Sequence, residues 1–209
     1  MELPEHKDAL HMEAGATVNY RVLPESATGS PSASAPIPHF LGRFRVLGEI
    51  ARGGMGIIVR AYDPALDREL AIKLLAPEIP ADSEAGRRFA QEARVVSQFH
   101  HPGIIPVFEA GTLGDGRAYF AMPFVEGQTL SVLLAERPGP ADGLARWLQV
   151  FLRVCETIAY VHEQGIVHRD LKPSNVMVGR FGEVMVMDWG VAALIVPPVP
   201  KPAEKRSGC

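Results

Sequence analysis

The chain has 209 residues, 47% of them hydrophobic, and a net charge of −3. That length holds one or two domains, and the apolar share is enough for a sizeable core. The near-neutral charge excludes an electrostatic case for nucleic acid. Residues 1–39 begin without a basic stretch followed by an apolar run, so no signal peptide is expected. The stretch 24–36 is rich in Pro, Ser, Ala and Gly and has almost nothing to bury, so 1–39 is expected to be a disordered arm.

Order is expected from residue 40. Strand-like residues 44–50 lead into Arg52-Gly53-Gly54-Met55-Gly56, and a second strand follows over 57–62. Strand, glycine-rich turn and strand make a hairpin, and its glycines allow backbone N–H groups to approach phosphates. A Walker A loop is absent, as is the strand-to-helix context of a dinucleotide fold. Residues 70–75 form an apolar third strand interrupted by Lys73. A lysine there needs a partner, because burying an unpaired charge is costly. Asp82 or Ser83 caps a helix running to about residue 99, with Phe89, Val96 and Phe99 at helical spacing and Glu92 between them. Alone, Glu92 is a surface glutamate. His100-His101-Pro102 stops the helix, and two adjacent histidines without a third ligand do not make a metal site. Strands over 104–110 and 118–122, joined by a turn at 111–116, complete a five-stranded antiparallel sheet with one helix.

Beyond Met122-Pro123-Phe124-Val125-Glu126-Gly127, a short helix over 130–136 is broken by Arg137-Pro138-Gly139-Pro140. Leu144, Leu148, Phe151, Leu152, Cys155, Ile158, Ala159 and His162 then recur at helical spacing, which predicts a long amphipathic helix with one buried stripe. On that stripe Cys155 is expected as a buried reduced thiol, in keeping with a reducing cytoplasm. Gln164-Gly165 ends the helix. A hairpin over 176–178 and 183–187 delivers Asp188. The apolar run 191–196 stops at Pro197-Pro198, far short of the roughly 20 residues of a membrane helix. Residues 194–209 are expected to be a proline-rich disordered tail. Cys209 ends the chain, and neither cysteine has metal-ligand spacing.

The densest cluster of chemistry is His168-Arg169-Asp170-Leu171-Lys172-Pro173-Ser174-Asn175. Asp170 can accept a hydroxyl proton, Lys172 can meet a phosphate, and Asn175 can hold a metal ion through its amide oxygen. Thirteen residues beyond Asn175 stands Asp188-Trp189-Gly190, a second metal-binding carboxylate before a glycine turn. This is H-R-D-L-x-x-x-N followed by D-x-G, and here the chain resembles the protein kinase family. The Lys172-Pro173 pair is similar to its serine/threonine branch, as found in bacterial eukaryotic-like kinases. The glycine-rich turn resembles the family's G-x-G-x-x-G-x-V, with Gly53 and Gly56 matching, Ile58 in the valine place and Ala51 replacing the first glycine.

The resemblance, over 44–193, implies an α+β two-lobed kinase fold. The small lobe would be residues 40–125, complete with its sheet, helix and hinge. A partial, mainly helical large lobe would occupy 126–193. It implies transfer of the ATP γ-phosphoryl group to a protein serine or threonine, with Mg²⁺ as cofactor. Asp170 would be the base and Lys172 would stabilise the transferred group. Lys73, fixed by Glu92, would hold the α/β-phosphates, and Asn175 and Asp188 would hold Mg²⁺. Met122 would be the gatekeeper. Pro123 would offer its carbonyl and Val125 its N–H to adenine, between walls formed by Ile58, Ala71 and Met177. Each of those apolar residues alone is ordinary core. Val96, Val107, His168 and Trp189 would stack as a column linking the lobes. The stretch after Gly190 has no A-P-E motif, so the resemblance implies a domain truncated after D-x-G. Without later helices, Leu148, Phe151 or Leu152 would be partly exposed. The alternative function is an inactive nucleotide-binding or interaction module of pseudokinase type. No motif addresses oligomeric state.

Overall fold

The computed structural model describes residues 37–194. The expected arm over 1–39 and tail over 194–209 lie outside the described residues, except for 37–39 and Leu194.

The N-terminal half is one curled antiparallel sheet. Its strands are β1 (Phe40–Leu41), β2 (Phe44–Arg52), β3 (Gly56–Asp63), β4 (Arg68–Leu75), β5 (Glu109–Thr112) and β6 (Ala118–Pro123), in the order β1-β2-β3-β4-β6-β5. The sheet has six strands where five were expected. The extra strand is two residues long, turned back at Gly42 (φ +60°) so that Leu41 pairs with Phe44 and is fully buried. Two residues carry no periodicity, which is why the sequence did not betray it. Register shifts in β2 between Val46 and Gly48 and between Glu49 and Ala51 mark bulges. Bulges bend a strand and increase its twist, here just before the glycine-rich turn.

A second difference concerns residues 104–112. Ile104 makes a parallel bridge to Val186, outside the sheet, and strand β5 starts only at Glu109. It runs through Gly111 and Thr112, and the turn is pushed on to 113–116, where Gly116 adopts φ +87°.

Helix α1 (Glu84–Val96) starts at Ser83, whose Oγ accepts a hydrogen bond from the Gly86 N–H at 3.1 Å. It ends short of the expected residue 99. Phe89, Glu92, Ala93 and Val96 share its buried face at helical spacing. Phe89 packs on Phe120 of β6 with ring centres 5.3 Å apart. Phe89, Ala93, Leu75 and Phe120 form one cluster, while Ile57, Val59, Leu70, Ile72 and Leu74 build another on the opposite face of the sheet. Burying each such large side chain contributes about 1.5–3 kcal/mol.

The C-terminal half comprises β7 (Gly127–Thr129), α2 (Leu130–Ala135), α3 (Leu144–Glu163), β8 (Ile166–Val167), a 3₁₀ turn (Pro173–Asn175), β9 (Val176–Gly179), β10 (Val184–Val186) and β11 (Ala193–Leu194). Strands β10, β9 and β7 form a small sheet, and β11 pairs with β8. The α3 helix is where the expected stripe fails. Its buried residues are Val150, Val154, Thr157 and Val161, not the expected set. Leu144, Leu148, Phe151 and Leu152 are exposed, Phe151 by 65%, and so is Cys155. The helix carries two apolar faces with the same period. Periodicity alone cannot say which one meets β8 and β10. Exposure of Leu148, Phe151 and Leu152 agrees with the expectation for those three side chains. No helix among the described residues is long and apolar enough to cross a membrane.

Candidate active site

Three pieces of chain converge between the two halves. The first is β4 with α1. On β4, Ile72 and Leu74 face the sheet's own core, so Ala71, Lys73 and Leu75 face the other way. Glu92 arrives opposite them because it shares the α1 face that packs on the sheet. Lys73 Nζ lies 2.7 Å from Glu92 Oε1 and 2.6 Å from Oε2. The Lys73 side chain is 15% exposed and that of Glu92 is 7% exposed. Burial pushes the Glu92 carboxyl above the usual carboxylate range. The charge of the Lys73 ammonium and its hydrogen bonds pull it down, and Asp188 adds a smaller upward push. Glu92 alone is an ordinary surface residue in sequence; its burial is what identifies the pair.

The second piece is the loop from His168 to Asn175. Asn175 Nδ2 donates to the Asp170 carbonyl oxygen at 2.8 Å and to Asp170 Oδ2 at 3.1 Å. Lys172 Nζ is 3.2 Å from the same Oδ2. The third piece is Asp188-Trp189-Gly190, tied to the loop at two points. The Met187 N–H donates to the Asn175 carbonyl at 2.8 Å, and His168 Nε2 lies 2.8 Å from the Met187 carbonyl. The Asp170 N–H reaches His168 Nδ1 at 3.3 Å. Nδ1 therefore accepts, and the proton sits on Nε2. His168 thus holds Asp170 and Asp188 in one frame. Arg169 and Asp188 both adopt left-handed backbone, at φ +68° and +62°. Such conformations cost about 1–3 kcal/mol each and persist where their surroundings over-determine them.

The expected column also forms. Val96 and Trp189 lie in one buried cluster with Val107 packed against it, and the His168 and Trp189 ring centres are 4.5 Å apart. Trp189 is 2% exposed and also meets Phe99, at 5.4 Å. Its Nε1–H donates to the Val186 carbonyl at 3.2 Å, so the indole is both packed and satisfied.

These pieces enclose a cavity of about 450 Å³, within the range of small-molecule sites. Of the residues singled out from sequence, Ala51, Gly53, Gly56, Ile58, Ala71, Lys73, Glu92, Met122, Pro123, Asn175, Met177 and Asp188 line it. Val125, Asp170 and Lys172 do not. Sequence reasoning missed Met55, Ile105, Thr129, Ser174 and Met187 on its wall. Ser174 and Met187 each precede a residue expected from the resemblance to meet the metal ion, the only local signal available. A Cβ on Gly56 would lie 2.5 Å from the Leu74 carbonyl, whereas at Gly53 and Gly54 it would meet nothing. Gly56 therefore serves packing, and the other two leave open backbone over the cavity. The Met55 side chain reaches under this turn, its Cε 3.4 Å from where a Cβ on Gly190 would stand.

A family model described as the protein kinase domain matches residues 44–207. The chain belongs to the protein kinase family. It is 38% identical over 162 residues to the serine/threonine-protein kinase PknD of Protochlamydia amoebophila, covering 73% of this chain and 16% of that protein. It is likewise 38% identical over 159 residues to PknD of Chlamydia caviae, covering 72% and 17%. These relatives place it in the bacterial serine/threonine branch, and it spans about a sixth of their length. A crystal structure of the Mycobacterium tuberculosis PknI kinase domain, in a point-mutant form, matches with a TM-score of 0.61 and 25% identity, over 78% of this chain and 63% of that one.

Among the described residues, the chain departs from the family's motifs at two positions. Ala51 stands for the first loop glycine, and Trp189 for phenylalanine. Ala51 lines the cavity, and Trp189 is buried in the cluster that holds Val96. Kinases generally use ATP and Mg²⁺, and the chemistry of the residues expected to hold the ion suits it. Asn175 commits its Nδ2 to Asp170, which leaves Oδ1 as the acceptor of that amide, and Asp188 adds a carboxylate. Oxygen donors of this kind suit Mg²⁺.

Proposed function

We propose that this chain binds Mg-ATP and carries the phosphoryl-transfer centre of a bacterial serine/threonine kinase acting in the cytoplasm on protein substrates. The observation that supports it most is the Lys73–Glu92 pair, at 2.6 Å, facing a cavity that Asn175 and Asp188 also line. In this reading Lys73 binds the α/β-phosphates, and Glu92 keeps the ammonium aimed at them. The open backbone of Gly53 and Gly54 covers the phosphates. Adenine lies between Ile58, Ala71 and Met177, with its edge to the Pro123 carbonyl and the Val125 N–H. Asn175 Oδ1 and the Asp188 carboxylate hold Mg²⁺, which when bound neutralises phosphate charge.

Asp170 lies outside the cavity wall and half exposed, where an acceptor hydroxyl approaches. Its carboxylate orients that hydroxyl and takes its proton as the hydroxyl oxygen bonds to the γ-phosphorus, while the bond from that phosphorus to the β,γ-bridging oxygen breaks and ADP leaves. Lys172, 3.2 Å from the carboxylate, meets the transferred group. Catalysis of this type is mostly positioning and charge neutralisation. The test is transfer of labelled γ-phosphate to a generic serine/threonine acceptor protein. Transfer by the wild type, lost in Asp170→Asn with Mg-ATP affinity within about twofold of wild type, is expected. Undiminished transfer by Asp170→Asn overturns the base assignment. Nucleotide binding with no transfer by the wild type leaves the binding module alone.

A further inference from the structure

We infer that Arg60 is a positioning residue that holds the hinge from the rim of the cavity. The inference rests on the nucleotide-site reading above and extends it to a residue outside the site. β3 and β4 pair with Ile58 opposite Lys73, Arg60 opposite Ala71 and Tyr62 opposite Glu69. Residues two apart on a strand share a face, so these six side chains form one continuous surface. Its inner part, Ile58, Ala71 and Lys73, lines the cavity. Arg60 and Glu69 continue the same surface outward, at the end away from Lys73.

At that rim Arg60 Nε donates to Glu69 Oε2 at 2.6 Å, and a second guanidinium nitrogen pairs with the same oxygen. The guanidinium, held in this way, lies 4.8 Å from the centre of the Phe124 ring. That is a cation–π contact. Phe124 sits between Pro123 and Val125, the two positions given to the adenine edge. It also stands just past the end of strand pairing, since β6 closes with Pro123 opposite Leu70. Strand pairing in the sheet thus ends at Pro123, one residue before Phe124. The chain Glu69–Arg60–Phe124 links Phe124 to the paired strands β3 and β4. A hinge ordered before the nucleotide arrives spares the ordering cost at binding. Arg60 does not line the cavity, so it acts through Phe124 rather than on the base.

Four features of the effect follow. An exposed cation–π contact sets its size, a roughly two- to five-fold weakening of Mg-ATP on its loss. The loss concerns the base and not the phosphates. Arg60 and Phe124 act as one unit, so their losses do not add. Lysine at this position keeps the charge but not the flat, forked group, and recovers part of the affinity.

The experiment titrates the chain with Mg-ATP and, separately, with Mg-tripolyphosphate, which carries the phosphates without a base. The variants are Arg60→Gln, Arg60→Lys, Phe124→Leu, the Arg60→Gln/Phe124→Leu double variant and Lys73→Met, each checked for its thermal midpoint. The expected result is weaker Mg-ATP binding by Arg60→Gln and Phe124→Leu, no further loss in the double variant, and unchanged tripolyphosphate binding by all three. Lys73→Met should weaken both ligands. The inference is overturned if Arg60→Gln binds Mg-ATP as tightly as wild type, or loses tripolyphosphate in step with it. Should Arg60→Gln fail to fold, Arg60→Lys and Phe124→Leu carry the same comparison. A wild type that binds neither ligand overturns the nucleotide site itself, whereas binding that depends on Lys73 but not on Arg60 overturns only the hinge role.

Discussion

Replacing Glu92 by leucine would leave the Lys73 ammonium without its carboxylate in a place where the side chain is 15% exposed. Removing one partner of a buried ion pair costs roughly 3–5 kcal/mol. Two features move this case to the lower end. Lys73 keeps some contact with water, and Asp188 is close enough for its charge to be felt at Glu92. A loss of about 2–3 kcal/mol is expected. For a chain of this size each kcal/mol shifts the thermal midpoint by roughly 2–4 °C, so Glu92→Leu should melt about 4–12 °C lower. Lys73→Met in the same chain then removes the stranded charge. The new methionine would lie between Phe89 and Phe120, whose ring centres are 6.0 and 5.8 Å from Lys73 Nζ. The Lys73→Met/Glu92→Leu variant should recover to within about 1 kcal/mol of wild type, because well-packed apolar groups commonly replace buried ion pairs without loss. Urea and thermal denaturation of the four proteins of this cycle measure the coupling. Recovery of stability without recovery of Mg-ATP binding would mean that the pair is kept for the nucleotide. A double variant as unstable as the sum of the single ones would refute this reasoning.

Burial holds the Glu92 carboxyl above its ordinary value. This group therefore favours folding below the unfolded carboxylate value and loses that contribution as pH rises through the folded one. For function the sign runs the other way: protonation on acidification neutralises Glu92 and frees Lys73, so Mg-ATP affinity should fall as pH falls through the raised Glu92 value. Calorimetry of wild type against Glu92→Gln isolates this part, and identical pH profiles would falsify it. The two faces of α3 give a second prediction. Val154→Ala should cost about 2 kcal/mol, from two buried methyl groups and the cavity they leave, while Phe151→Gln should stay within about 0.5 kcal/mol of wild type. Urea midpoints decide it, and the reverse order would mean that the other face is the buried one.

The residues of the site were legible where their meaning is local. Asp170, Lys172 and Asn175 sit within six residues, and backbone geometry over such a span is set by the loop itself. Lys73 announced itself as a charge in an apolar strand, whereas Glu92 alone read as a surface glutamate and was paired with Lys73 only through the family resemblance. Three things were beyond the reach of sequence pattern. A two-residue strand such as β1 has no period. α3 has two apolar faces, and the choice between them is made by β8 and β10, elements distant in sequence. The left-handed backbone at Arg169 and Asp188 follows from ties made at a distance, His168 to Met187 and Asn175 to Met187, rather than from residue type. The Arg60–Phe124 contact spans 64 positions of sequence and belongs to the same class.

The most direct measurement is the Mg-ATP dissociation constant of wild type, Lys73→Met and Asp188→Asn by calorimetry. If the cavity is a nucleotide site with Lys73 on the phosphates and Asp188 on the metal ion, each variant should bind at least roughly tenfold more weakly. That factor corresponds to about 1.4 kcal/mol, a modest share of what a charge-assisted contact contributes. Lys73→Met should weaken ATP with or without the metal ion, and Asp188→Asn only when Mg²⁺ is present. Equal affinity in all three proteins would contradict the account.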